Sequence, residues 1–145
     1  MSAPLFGEDA PDAEDFVVSW LQPLLRSGVE RRQSDPWPFA LVQRISGLDN
    51  PEAGLDDPVI QIDILHKVKS GTVPVSVAGK QWANDVHRRM TLLGLTYPDV
   101  TLSDGSVAGI DYLTVLIRPR REPFGDETVA RYVARYKLGL SYVAA

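Results

Sequence analysis

Between Arg131 and Leu140 the chain alternates with a period of two. Tyr132, Ala134, Tyr136, Leu138 and Leu140 fall on one side, and Arg131, Val133, Arg135 and Lys137 on the other. Successive side chains of a strand point to opposite faces. The run therefore predicts a long strand with one buried apolar face and one polar face. Val59 to Leu65 repeats the pattern, with Ile60, Ile62 and Ile64 set against Gln61 and Asp63. A sheet built from such strands needs a covering layer on its apolar face.

Two segments supply that layer. Asp12 is placed to cap a helix with Glu14 and Asp15 in its first turn. Phe16, Val17, Trp20, Leu21, Leu24 and Leu25 then recur at helical spacing, with a kink expected at Pro23 and a stop at Gly28. Ala78 to Leu93 reads as the second helix, with Trp82, Val86, Met90 and Leu93 on one face and Gly94 as its C-cap. Pro36 and Pro38 reset the chain to extended geometry around Trp37, and Phe39 to Ile45 reads as a strand antiparallel to Val59 to Leu65. Ser46 to Asp57 carries loop chemistry, and His66 to Val77 is a long mixed connection. Leu95 to Leu102 and Val107 to Ile117 form a hairpin about Ser103-Asp104-Gly105-Ser106, where Asp-Gly suits a type I′ turn. Pro119 to Asp126 is expected to be a basic loop. The fold class is thus α+β: a mostly antiparallel sheet of about five strands with two helices on one face.

With 145 residues the chain has room for one ordinary domain, 12–145, preceded by a flexible acidic arm, 1–11. A formal net charge of −4 argues against a dedicated nucleic-acid binder. No cysteine is present, so disulfides, thiolate chemistry and cysteine-held metals are excluded. No apolar run approaches the roughly 20 residues that span a bilayer. The acidic start does not resemble a secretory signal, so the chain is expected to stay where it is made.

The residues that carry chemistry do not assemble into a known pattern. His66 and His87 lack a His or Glu three or four positions away on a shared helical face. Asp49, Asp56, Asp57 and Asp63 cluster in sequence without calcium-loop spacing. Gly79-Lys80 lacks the rest of a phosphate loop, and the Gly105 to Gly109 outline of a nucleophile elbow runs from a turn into a strand. No catalytic, cofactor-binding or metal residue is assigned, and no cofactor is expected.

Basic side chains remain. Arg118, Arg120 and Arg121 flank Pro119, and Arg131, Arg135 and Lys137 line the polar side of the last strand. A solvated sheet face is one reading. The other is an assembly interface that meets an acidic neighbour, such as Glu8 and Asp9 of an adjacent copy, or faces DNA. Trp37, between two prolines, is expected to pack against a neighbouring subunit.

Several segments in this order resemble the tail terminator proteins of long-tailed bacteriophages, particularly those infecting actinobacteria. They are Asp15-Phe16-Val17-Val18-Ser19-Trp20-Leu21 after an acidic start, Pro38 to Gly47, Pro58 to Leu65, the helix from Trp82 to Leu93, and Val129 to Tyr136. The resemblance spans about residues 12 to 143. It implies a homo-oligomeric, hexameric ring that caps the tail tube, ends its polymerisation and offers a surface to the head–tail connector protein. DNA would pass through the ring without sequence-specific binding. The implied partners are the major tail tube protein and the connector, with no membrane. The implied location is the virion tail near the neck, after assembly in the host cytoplasm. The family has no catalytic residues to carry over.

Three other readings stand beside this one. The first is another head–tail joining protein or a tail tube subunit, which would stack into long polymers. The second is a small cone-shaped α+β enzyme with Asp111, Tyr112 or Tyr136 in an apolar pocket. The third is an adaptor that adds a peptide strand to its sheet.

Overall fold

The computed structural model describes residues 8–67 and 74–144. Residues 1–7 of the expected arm, and Lys69 and Gly71 of the connection after the second long strand, lie outside the described residues. In chain order the elements are β1 (Glu8–Asp9), α1 (Ala13–Leu21), β2 (Arg26–Gly28), β3 (Phe39–Asn50), β4 (Leu55–Lys67), α2 (Val75–Thr96), β5 (Val100–Thr101), β6 (Val107–Ala108), β7 (Ile110–Glu122), β8 (Val129–Ser141) and β9 (Val143–Ala144). The main sheet has five strands in the order β2-β3-β4-β8-β7. All its neighbours are antiparallel except the parallel pair β2–β3. This is an α+β fold with both helices on one side of the sheet.

The alternating strands behave as their periodicity requires. Ile60, Ile62 and Ile64 of β4 and Tyr132, Ala134, Tyr136, Leu138 and Leu140 of β8 are buried in one core. Phe16, Val17 and Leu21 of α1 and Val86, Met90 and Leu93 of α2 fill it from above. The helices are pinned to each other through Trp20 and Arg89. The indole N–H donates to the Arg89 carbonyl at 2.9 Å, the guanidinium Nε donates back to the Trp20 carbonyl at 2.6 Å, and the guanidinium stacks over the ring at 4.0 Å.

Helix α1 ends at Leu21, short of the expected stop at Gly28. Pro23 has no N–H to continue the ladder. The freed chain turns and lays Arg26–Gly28 beside Phe39–Leu41 as a strand that the sequence pattern did not foretell. Asp12 caps the helix as expected, accepting from the Asp15 N–H at 3.1 Å. Helix α2 is longer than expected and runs through Gly94 to Thr96, with Tyr97 taking the left-handed cap position at φ 48°. Gly94 serves close approach instead of termination. A Cβ there would lie 2.9 Å from the Cβ of Leu113 on β7. Gly79, roughly four turns earlier on the same helix, sits as tightly on Ala130 of β8, at 2.8 Å. The two glycines let one helix lie flat across three strands.

Two expected loops are strand instead. Ser46–Asn50 and Leu55–Asp57 continue β3 and β4 into a long hairpin arm, closed by a turn at 51–54. Cross-strand pairing overrides the local turn chemistry of Gly47, Asn50 and the aspartates. Gly47 is needed because, at φ 116°, a Cβ would meet the Asp57 carbonyl oxygen at 2.2 Å. Likewise β7 runs through Pro119 to Glu122, where a loop was expected; a proline is tolerated there because β7 is an edge strand. The 103–106 turn is the expected hairpin, but only Gly105 has positive φ, at 86°. It is a type I turn closed by a left-handed glycine, with Asp104 accepting from the Ser106 N–H at 2.9 Å, not type I′. Its strands β5 and β6 form a separate small ladder tied to α1, where Asp15 accepts from the Ser103 N–H at 3.1 Å.

Replacing Gly94 by leucine is expected to wedge α2 off β7 and to lower stability by about 1–3 kcal/mol, the usual cost of overpacking. Thermal unfolding followed by circular dichroism checks this. An unchanged midpoint would show that the helix does not rest on Leu113.

Candidate assembly surfaces

Among the described residues, no helix covers the side of the sheet opposite α1 and α2. Its middle carries a polar ladder across the β4–β8 pair. Arg135 Nε donates to Gln61 Oε1 at 3.0 Å, Gln61 Nε2 donates to Asp63 Oδ1 at 2.9 Å, and Arg131 Nε donates to Asp63 Oδ2 at 2.9 Å. Asp63 is buried, and Arg131 is its ion-pair partner there. The basic stripe read from the last strand is therefore not a row of free cations. Arg131 is committed within the chain, and Arg135 is held by a neutral partner. Lys137 lies on the same side without a salt-bridge partner among the described residues.

The other basic group divides between two sides of the β7 edge. Arg120 points with Ile117 and Glu122 to the open face and pairs with Glu122 at 2.7 Å. Arg118 lies on the helix side, where its charge helps to depress the His87 pKa after burial has done most of it. Arg121, opposite Tyr132 in the register, is also on that side. Both are exposed and have no salt-bridge partner among the described residues. Glu8 and Asp9 form a two-residue antiparallel ladder with Val143 and Ala144 of their own chain.

Trp37 is half-buried under Arg31, whose guanidinium stacks 3.6 Å from the ring centroid. With Leu41, Leu65, Phe124 and Val129 it lines a groove of about 520 Å³ on the open face. A second apolar surface lies between the helices, where Leu24, Leu92 and Leu95 meet beside Arg88. The third is the arm itself. Leu48, 79% exposed, stands between Ile45 near the base and Leu55 near the tip, both also exposed. Composition concealed this surface, because Gly47, Asn50, Pro51 and Gly54 read as a loop.

The arm is firmly rooted. Arg44 grips Asp56 through two bonds of 2.7 and 2.8 Å, and Asp56 is 1% exposed. That hydrogen-bonded pairing, foremost among the causes, raises the Arg44 pKa. At the tip the Gly54 carbonyl accepts from the Tyr142 N–H at 2.8 Å, and Asp49 accepts from the Tyr142 hydroxyl.

The aspartates of this region thus have separate partners: Asp49 with Tyr142, Asp56 with Arg44, Asp57 with Tyr112 and Asp63 with Arg131. No group of three or more potential metal ligands occurs among the described residues. His87 Nδ1 lies 2.7 Å from the Tyr136 hydroxyl over a stacked ring, and burial, helped by Arg118, lowers the His87 pKa. His66 packs its edge against Trp82. The three candidates for the pocket of a cone-shaped enzyme each have a separate partner. Asp111 is exposed and accepts from Ser141 at 2.7 Å, Tyr112 donates to Asp57 at 2.6 Å, and Tyr136 meets His87. The chain matches no protein-family model and none of the curated proteins.

Two outcomes follow from these contacts. Replacing Arg44 by alanine strands the buried Asp56 carboxylate and is expected to cost about 3 kcal/mol; replacing both by leucine should recover most of that in a denaturant titration. The Tyr112 hydroxyl is pushed up to about 12, first by burial and then by its bond to Asp57. Its contribution to stability is complete below the ordinary tyrosine pKa of about 10 and is lost as pH rises towards 12. Absorbance titration of the phenolates should lose a component near pH 12 in Tyr112→Phe. That component should move down in Asp57→Asn.

Proposed function

We propose that this protein is a structural component of a bacteriophage virion. It forms a ring that caps the tail tube, ends tube polymerisation and offers the surface on which the tail joins the head connector. The single observation that supports this reading most is where the uncovered surface lies. Among the described residues, the face away from the helices has no helix over it, the long β7 edge has no strand beside it, and the β3–β4 hairpin exposes Leu48. Asp49, Asp56, Asp57, Asp63, His87, Tyr112 and Tyr136, in contrast, are engaged within the fold. A heterologous ring requires two unlike patches on one rigid body, and a cap on a tube requires an axial surface as well. The order of segments shared with tail terminators is the second support. The partners on this reading are further copies of the chain, the major tail tube protein and the connector, with DNA passing through the hole. The ring is placed at the neck of the virion.

Negative-stain microscopy of the purified protein tests the reading. Single closed rings are the expected particles, six-fold on the tail-terminator resemblance. Extended tubes would instead indicate a tube subunit. Charge reversal at Lys137 and Arg135 should leave the fold intact and weaken stacking on the tube or connector if the open face is the axial surface.

A further inference from the structure

The arm and the β7 edge are complementary. Of the arm's carboxylates, Asp56 is spent on Arg44 at the base, while Asp49 and Glu52 near the tip have no salt-bridge partner among the described residues. Leu48 on the same hairpin is 79% exposed, and Ile45 and Leu55 are exposed too. On the outer side of β3, pairing with β2 stops at Leu41, so among the described residues the arm from Ile45 to Asn50 has no strand beyond it. At the other end of the sheet, β7 presents an open edge whose second half, Val115 to Arg121, holds three arginines. Leu116 there is 47% exposed and Val115 is also uncovered. Exposed apolar side chains on an unpaired strand edge are a liability that natural sheets rarely leave unprotected. Here the apolar part of each edge is flanked by one sign of charge, and the signs are opposite.

The fold prevents the two from meeting within one chain. β4 and β8 lie between them, so the edges are roughly 14 Å apart across three strand spacings, facing opposite ways. We infer that the β3–β4 arm of one copy docks on the Val115–Arg121 edge of a second copy, head to tail. Leu48 packs against Leu116, and Arg118 and Arg121 face the acidic arm. The contact is heterologous: each copy spends its arm on one neighbour and its β7 edge on the other, so association continues until the rotation closes it. The arm arrives already ordered, because the Arg44–Asp56 pair holds its base and Tyr142 holds its tip. Little entropy is then lost on docking. Screening of the charges makes the association weaker as salt rises. The inference rests on the ring reading in one respect, that copies of the chain associate.

The absence of cysteine allows a direct test. Leu48→Cys and Leu116→Cys are made separately; both positions are exposed, so neither change should disturb the core. Under mild oxidation the mixture is expected to give a covalent dimer, while each variant alone stays single on a non-reducing gel. The double variant should give a ladder of covalent oligomers. Arg118→Glu with Arg121→Glu should weaken association at least about tenfold in sedimentation, and Glu52→Lys should restore part of it. Two results overturn the proposal and leave the ring standing: rings that form without a 48–116 cross-link, or a Leu48→Cys variant that cross-links to itself, which would mean a two-fold contact. A wild-type chain that stays monomeric at every concentration, with no cross-link in the mixture, removes both the docking and the ring.

Discussion

One helix lying flat across the sheet sets the terms for everything else in this fold. Helix α2 reaches β4, β8 and β7, and it can do so because Gly79 and Gly94 bring its backbone down onto Ala130 and Leu113. With α1 beside it over β2 and β3, one face of the sheet is closed. The chain has no third helix for the other face among the described residues. That face is therefore made compatible with water by chemistry: a ladder of Gln61, Asp63, Arg131 and Arg135 along its middle, and an aromatic margin at Trp37 and Phe124. A sheet treated this way is rigid and open at once, which suits a part that works by contact.

The arm shows how rigidity is extended beyond the helical cover. Past Arg44, β3 and β4 stay paired to Asn50 and Leu55, and the end of β8 pairs with β4 at Leu55 and Asp56. A buried carboxylate at the base makes departure of Arg44 costly, and bonds from Tyr142 stop the tip from swinging. The exposed leucines are thus presented in one geometry. A floppy loop of the same composition would have to be ordered at each encounter, at a cost of about 1–2 kcal/mol for every residue fixed.

The fold class and the facing of the two alternating strands were legible in the sequence, because period-two burial in β4 and β8 depends on local geometry alone. The capping of α1 by Asp12 was legible for the same reason. What was hidden depended on partners distant in sequence. Gly94 looked like a helix stop and turned out to be a contact with Leu113. The aspartates from 49 to 63 looked like loop polarity or a diffuse acidic cluster, and each has its own partner on another strand. The same blindness shaped the reading of the basic residues. Arg131 counted as a free cation until β4 placed Asp63 across from it, whereas Arg118 and Arg121 do remain exposed on the β7 edge. The strand β2 carried no signal at all, since three residues after a proline turn have no periodicity to read.

The sheet can also be seen as two hairpins, β3–β4 and β7–β8, joined along a single seam. Each hairpin closes from neighbouring residues and can form quickly. The seam cannot: Asp63 and Arg131 lie 68 positions apart, and α2 must be threaded between the hairpins. Docking of the hairpins is then the slow event of folding, with the loop-closure entropy of a non-local pairing against it. A slip of one residue at the seam would turn Arg131 and Arg135 into the helical core and Tyr132 and Tyr136 outwards. The same slip would carry Arg131 away from Asp63, so the buried ion pair is compatible with the native register alone.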